Sequence, residues 1–173
     1  MDLIELVFKS LYFFLPAYFA NMAPVLFKWI HFLDKPIHQK LFGVHKTWRG
    51  IVVAALMGTV IFWLQQYLYI VGFQQFALID YSDFSIWLGF FLGLGAILGD
   101  LVKSYYKRKD KIAPGERWIP FDQLDFVVGG IIGSFFIYVP VAEVVLILLI
   151  VSPFLHIAAA RIGYWLGIRK EKW

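Results

Sequence analysis

At 173 residues the chain is the size of one domain, but 61% hydrophobic and 20% aromatic residues against 16% charged ones exclude an ordinary soluble fold and make lipid its solvent. The net charge of +4 is modest, so its distribution matters more than its sum, and no nucleic-acid partner is expected. With no cysteine, disulfides and thiolate metal centres are excluded.

The start, Met1-Asp2-Leu3-Ile4-Glu5, is acidic where a secretory leader is basic, so the first apolar run is kept as a mature membrane helix. Five apolar runs follow, each measured against the roughly 20 residues that cross a hydrocarbon core. The first, Leu3 to about Phe27, carries Glu5, Lys9, Pro16, Asn21 and Pro24, whose polar groups are expected to face a bundle interior or an interface. The second, Ile51 to about Val71, is the cleanest. The third starts near Phe84 and reaches Asp100. Its Gly89, Gly93, Gly95 and Gly99 form two small-xxx-small pairs, which predict close packing on a neighbouring helix. The fourth, Phe126 to about Val139, is short, repeats the device with Gly129/Gly133 and Gly130/Ser134, and borrows its first turn from Asp122 to Asp125. The fifth begins after Pro140, contains Glu143 and continues past Pro153 to about Ile168.

Charge sets the orientation, because short cytoplasmic connections carry the Lys and Arg. Lys28, Lys35, Lys40, Lys46 and Arg49 lie between the first two runs, and Lys103, Lys107, Arg108, Lys109, Lys111 and Arg117 between the third and fourth. Arg161, Arg169, Lys170 and Lys172 lie near the C-terminus. The connection Gly72 to Asp83 has no cation, and only Lys9 falls outside the pattern. The expected fold is therefore a single all-α polytopic membrane domain over residues 1–173. It has five transmembrane helices, its N-terminus outside, its C-terminus in the cytoplasm, and a polar site facing the cytoplasm.

That site is expected in the most polar stretch, Gly99 to Asp125. If the helix continues through Arg108, then Asp100, Lys103, Ser104, Lys107 and Arg108 fall at i, i+3, i+4, i+7 and i+8, on one face. Asp122 and Asp125 repeat the spacing at the start of the fourth run. Carboxylates at a membrane boundary suit Mg²⁺, which takes one or two of them and completes its shell with water and substrate phosphate. The same Asp122 also reads as an ordinary N-cap beside Pro120. Lys103, Lys107 and Arg108 suit phosphate oxygens, with Ser104 as a donor, and equally read as a headgroup-attracting cluster. His45-Lys46-Thr47-Trp48-Arg49-Gly50 combines two cations, a hydroxyl and a glycine ahead of the second run, where a backbone can approach phosphate. No phosphate-binding GxxxxGK[ST] loop and no acyl-transfer constellation is present.

These residues resemble a known family. Ser104-Tyr105-Tyr106-Lys107-Arg108, a proline-glycine connection and Asp122-Gln123-Leu124-Asp125 are similar to the C-terminal signature of the membrane CDP-diacylglycerol synthases. Asn21-Met22-Ala23-Pro24, His45 to Gly50, Leu98-Gly99-Asp100 with Lys103-Ser104, and Phe121 to Asp125 resemble the archaeal branch, the CDP-archaeol synthases, over essentially the whole chain. The bacterial His-Gly-Gly segment is replaced by Gly115-Glu116-Arg117-Trp118-Ile119-Pro120. The resemblance implies Mg²⁺-dependent transfer of CMP from CTP to the phosphate of a geranylgeranyl-ether glycerol phosphate in the cell membrane, and leaves room for a homodimer. It further implies that Asp100, Asp122 and Asp125 hold metal, and that Lys46, Thr47, Lys107 and Arg108 bind phosphates, with Arg49, Lys103 and Ser104 beside them. A polyprenol or lipid kinase and a small non-enzymatic transporter are the alternatives.

Overall fold

The computed structural model describes residues 2–113 and 116–167, so the Pro114-Gly115 connection and the cations Arg169, Lys170 and Lys172 lie outside the described residues. Among the described residues the chain is helical, with one isolated bridge between Pro36 and Thr47. The first apolar run is not one rod. Helix α1 (Leu3–Phe13) and helix α2 (Leu15–Leu26) bend by 45° at their junction. Pro16 opens α2, where its missing N–H leaves no hydrogen bond unmade. Lys9, the cation that breaks the charge pattern, is paired one turn away with Glu5 at 2.8 Å.

A short α3 (Gln39–Phe42) precedes α4 (Trp48–Ile70), whose first turn is capped by Thr47 Oγ1 accepting from Gly50 N–H at 3.2 Å. Then come α5 (Trp87–Lys109), α6 (Phe121–Ser134) and α7 (Ala142–Trp165). By length and composition α4, α5 and α7 can cross a membrane, and the bent α1–α2 pair adds a fourth where the two helices form one broken span. Helix α6, the fourth expected span, does not qualify on length alone, because its 14 residues fall short of the roughly 20 a straight span needs. Large apolar side chains stand exposed on the outer faces, among them Leu56, Val60, Ile150 and Phe154, as they do where the surrounding solvent is lipid.

Helix α5 is the axis of the bundle, and its glycines explain why. Gly89 and Gly93 face Gly58 and Ala54 of α4, while Gly95 and Gly99 face Gly129, Gly133 and Asp125 of α6. A Cβ at Gly99 would overlap the Asp125 carbonyl oxygen, and one at Gly129 would overlap that of Gly95. The two predicted glycine pairs thus serve two different neighbours. On its other side α6 sets Gly130 against Phe14 and Ala17. At the end remote from Asp100, the α4–α5 connection folds inward around a fully buried Tyr81, packed among Tyr12, Phe62 and Tyr69.

A methyl added at a backbone-to-backbone crossing forces the helices apart, at a cost of about 1–3 kcal/mol. Gly99→Ala and Gly129→Ala are expected to lower the thermal midpoint in detergent. Gly50→Ala, whose added carbon meets Pro24 at an ordinary 3.6 Å, leaves it unchanged. Unaltered melting of Gly99→Ala would show that the crossing is looser than described.

Candidate active site

The helix that carries Asp100 runs on without a break to Lys109, so the predicted polar face of α5 exists, and the glycine crossing brings the first turns of α6 against it. The two acidic ends meet around one ammonium group. Lys103 Nζ stands 3.0 Å from Asp100 Oδ1, 3.1 Å from Asp122 Oδ1 and 2.8 Å from Asp125 Oδ2. Lys46 Nζ pairs with Asp100 Oδ2 from the start of α4. Lys107 Nζ lies 3.1 Å from both oxygens of Asp122 and also donates to the Glu116 carbonyl. Asp125 is the most enclosed of the three carboxylates, its side chain only 5% exposed. Three lysines thus neutralise three carboxylates in a poorly solvated place, where any one of them alone would be strongly destabilising.

Asp122 is not the N-cap of α6, because that position is held by Pro120 without a side-chain cap. Its carboxylate instead faces the two lysines and accepts from Trp118 N–H at 2.6 Å. Hard oxygens from separate helices closing on one cation position are a donor set that suits Mg²⁺. Among the described residues no three His, Asp or Glu enclose a metal position by themselves. What they enclose is Lys103 Nζ, which marks where a cation is held.

Two cavities share this row of lysines. The smaller, about 180 Å³, is lined by Phe42, Gly43, Val44, His45, Ser104, Arg108 and the lysines 46, 103 and 107, with no carboxylate among them. Arg108 Nε is buried beside it without a hydrogen-bond partner. The larger is a groove of about 710 Å³, lined in all by seven cations and four carboxylates; it runs from the α5–α6 crossing to a part between Asn21 and Val25 of α2, with Lys28 just beyond that helix, and His156, Ile157 and Arg161 of α7. Below it α2 and α7 are joined by a hydrogen bond between Tyr18 Oη and Ser152 Oγ at 2.5 Å.

Not every expected residue points at the site as predicted. Ser104 is buried and gives its proton to the Asp100 carbonyl at 2.8 Å, a local bond within α5. Thr47 borders the groove, and its hydroxyl oxygen serves as the α4 cap. Arg49 borders the groove, but its guanidinium donates to the Lys28 and Ile30 carbonyls and meets Asp34 at 3.0 Å, tying down the α2–α3 connection. Sequence reasoning left out Gln123, whose buried Oε1 has no partner, and the α7 residues His156 and Arg161. For His156 and Arg161 the signal was an ionisable side chain inside an apolar run; the charge count used Arg161 only for orientation and did not include His156, and Gln123 entered only within the Asp122 to Asp125 motif.

Residues 3–173 match the family described as CarS-like, CDP-archaeol synthase. The chain is 31% identical to the CDP-archaeol synthase of Thermococcus kodakarensis, with both chains covered completely, and 33% identical to that of Methanocaldococcus jannaschii over 98% of each. It also matches a solved structure, described as an intramembrane enzyme for archaeal membrane lipids biosynthesis, with a TM-score of 0.64 and 25% identity over 87% of this chain and 91% of that one.

The Arg49 fork is a test of structure against ligand binding. Arg49→Lys keeps the charge and loses the planar fork, and is expected to cost about 1–3 kcal/mol of stability. Thermal melts would detect it, and melting equal to wild type would return Arg49 to the list of free phosphate ligands.

Proposed function

The chain belongs to the CDP-archaeol synthase family, and from that membership we propose that it transfers CMP from CTP to the phosphate of 2,3-bis-O-(geranylgeranyl)-sn-glycerol 1-phosphate. The products are the CDP-activated ether lipid and pyrophosphate. The observation that carries the site assignment is the meeting of Asp100, Asp122 and Asp125 with Lys46, Lys103 and Lys107 where a basic cavity adjoins a groove between membrane helices.

In this mechanism an oxygen of the lipid phosphate attacks the α-phosphorus of CTP, and the bond to the β-phosphate breaks with its electron pair leaving on pyrophosphate. The nucleophile is already anionic at neutral pH, so no strong general base is required. The chain's task is to bring two anions together and align them. Lys46, Lys107 and Arg108 line the small cavity and hold the outer phosphates, where their charge also stabilises departing pyrophosphate. The groove between α2 and α7 receives the lipid, with Lys28 and Arg161 near its headgroup and the bilayer around its chains. Asp100, Asp122 and Asp125 would hold Mg²⁺, which when bound neutralises phosphate charge and polarises the α-phosphorus.

We place the site on the cytoplasmic face of a five-span bundle with its N-terminus outside. The support is geometric. Helix α6 starts beside Gly99, and its irregular continuation carries Phe136 onto Phe91 at 5.0 Å and Tyr138 to Phe84 at 5.5 Å. Helix and continuation together therefore travel as deep as the apolar part of α5. The basic connections lie at one end, and the connection Gly72 to Asp83 lies at the other.

With purified protein, Mg²⁺ and prenyl-ether glycerol phosphate, label from the α-phosphate of CTP is expected in the lipid and label from the γ-phosphate in pyrophosphate. Label from the γ-phosphate in the lipid would identify a kinase instead. Asp100→Asn, Asp122→Asn and Asp125→Asn should each lose roughly 10²–10³-fold or more in kcat, the scale of a lost electrostatic contact at a reacting phosphate. A near-normal rate would remove that residue from the site. Because the chain has no cysteine, single cysteines report topology directly. Lys40→Cys and Lys109→Cys should react with an impermeant reagent only from the cytoplasmic side, and Gln75→Cys and Val139→Cys only from outside. Cytoplasmic labelling at residue 139 would overturn the five-span arrangement.

A further inference from the structure

Of the lysines in the site, Lys103 alone touches all three carboxylates, at 2.8–3.1 Å, and it also lines the small basic cavity. We infer that Lys103 is a place-holder for the metal, and that an anion in the basic cavity draws it away, so that metal and phosphate bind cooperatively. The inference rests on the reading that these aspartates hold a divalent cation.

A metal bound to carboxylates at about 2.0–2.1 Å cannot share their focus with an ammonium hydrogen-bonded to the same oxygens. Two like charges at that separation repel strongly in a poorly solvated site. Lys103 must therefore leave before the metal is fully bound, and its flexible four-carbon stem lets it do so. Its destination is set by charge. The small cavity holds Lys46, Lys107, Arg108 and His45 with no carboxylate, and repels a further cation while empty. Filled by phosphate oxygens, it attracts one. Lys46 and Lys107 are poorer candidates, since Lys46 holds only Asp100 and Lys107 is also tied to the Glu116 carbonyl. By linkage, whatever the anion does for the metal, the metal does equally for the anion. The device keeps the carboxylates neutralised in the resting protein, and it disfavours loading of metal without nucleotide.

The test measures Mn²⁺ binding by electron paramagnetic resonance titration of the full chain in detergent, without lipid. Sulfate serves as the anion because it binds Mn²⁺ weakly in solution, and chloride at matched ionic strength is the control. Wild-type protein should bind Mn²⁺ more tightly in sulfate, by a factor of about 5–150, the ordinary range of coupling between two sites. Lys103→Met should bind Mn²⁺ tightly without sulfate, and sulfate should add nothing. If Lys103→Met does not fold, the sulfate effect on the wild type decides alone. Wild type and Lys103→Met binding Mn²⁺ equally, with no sulfate effect and with binding lost in Asp125→Asn, would overturn the place-holder while keeping the metal site. Binding untouched by Asp125→Asn in every background would overturn both.

Discussion

The backbones of α5 and α6 touch, and the charged site depends on that contact. Gly95, Gly99, Gly129 and Gly133 leave no side-chain atoms between the two helices. The crossing holds Asp125 of one helix opposite Gly99 of the other, one residue from Asp100. With an ordinary side chain at the crossing, the α6 carboxylates would stand farther from Lys103, and the ion cluster would open to water. Small residues are the usual means of close approach in lipid, where apolar burial gives neighbouring helices little reason to associate.

The cluster itself gives little net stability. Three largely enclosed carboxylates and their lysines lose part of their hydration, and the attraction between them roughly offsets that loss. In the proposed reaction its value lies in readiness. The oxygens that would take a metal and the cations that would take phosphates are assembled beforehand and neutralised by one another. The tie of Lys107 to the Glu116 carbonyl and of Asp122 to Trp118 N–H fixes the orientation of both partners from the α5–α6 connection.

The sequence made most of the architecture legible, because hydropathy, charge asymmetry and glycine spacing are local quantities. The extent of α4 to within a turn, the helix from near Phe84 to Asp100 and the close packing at both glycine pairs follow from them, whereas the unbroken run of α5 on to Lys109 entered only as a condition. The bend between α1 and α2 does not, since Pro16 fits equally well inside a bent run or at the start of a new helix. Site residues divide along the same line. Asp100, Lys103, Lys107, Asp122 and Asp125 could be picked out by spacing on their own helices. The engagement of Arg49 with Lys28, Ile30 and Asp34 could not, because its partners lie on a connection whose path no periodicity describes.

Residue order alone thus determined a helical membrane protein with its cations gathered toward one face and its acids at two helix ends, together with the family it belongs to. Only the tertiary structure decided which charge meets which. It seated Lys103 among all three aspartates, turned Ser104 back onto its own helix, and brought His156 and Arg161 from α7 to the groove. The physical reason is that a side chain's partners are set by the distance and rotation between helices. In lipid those are chosen by packing of small residues across the interface, which a single helix read by itself does not contain.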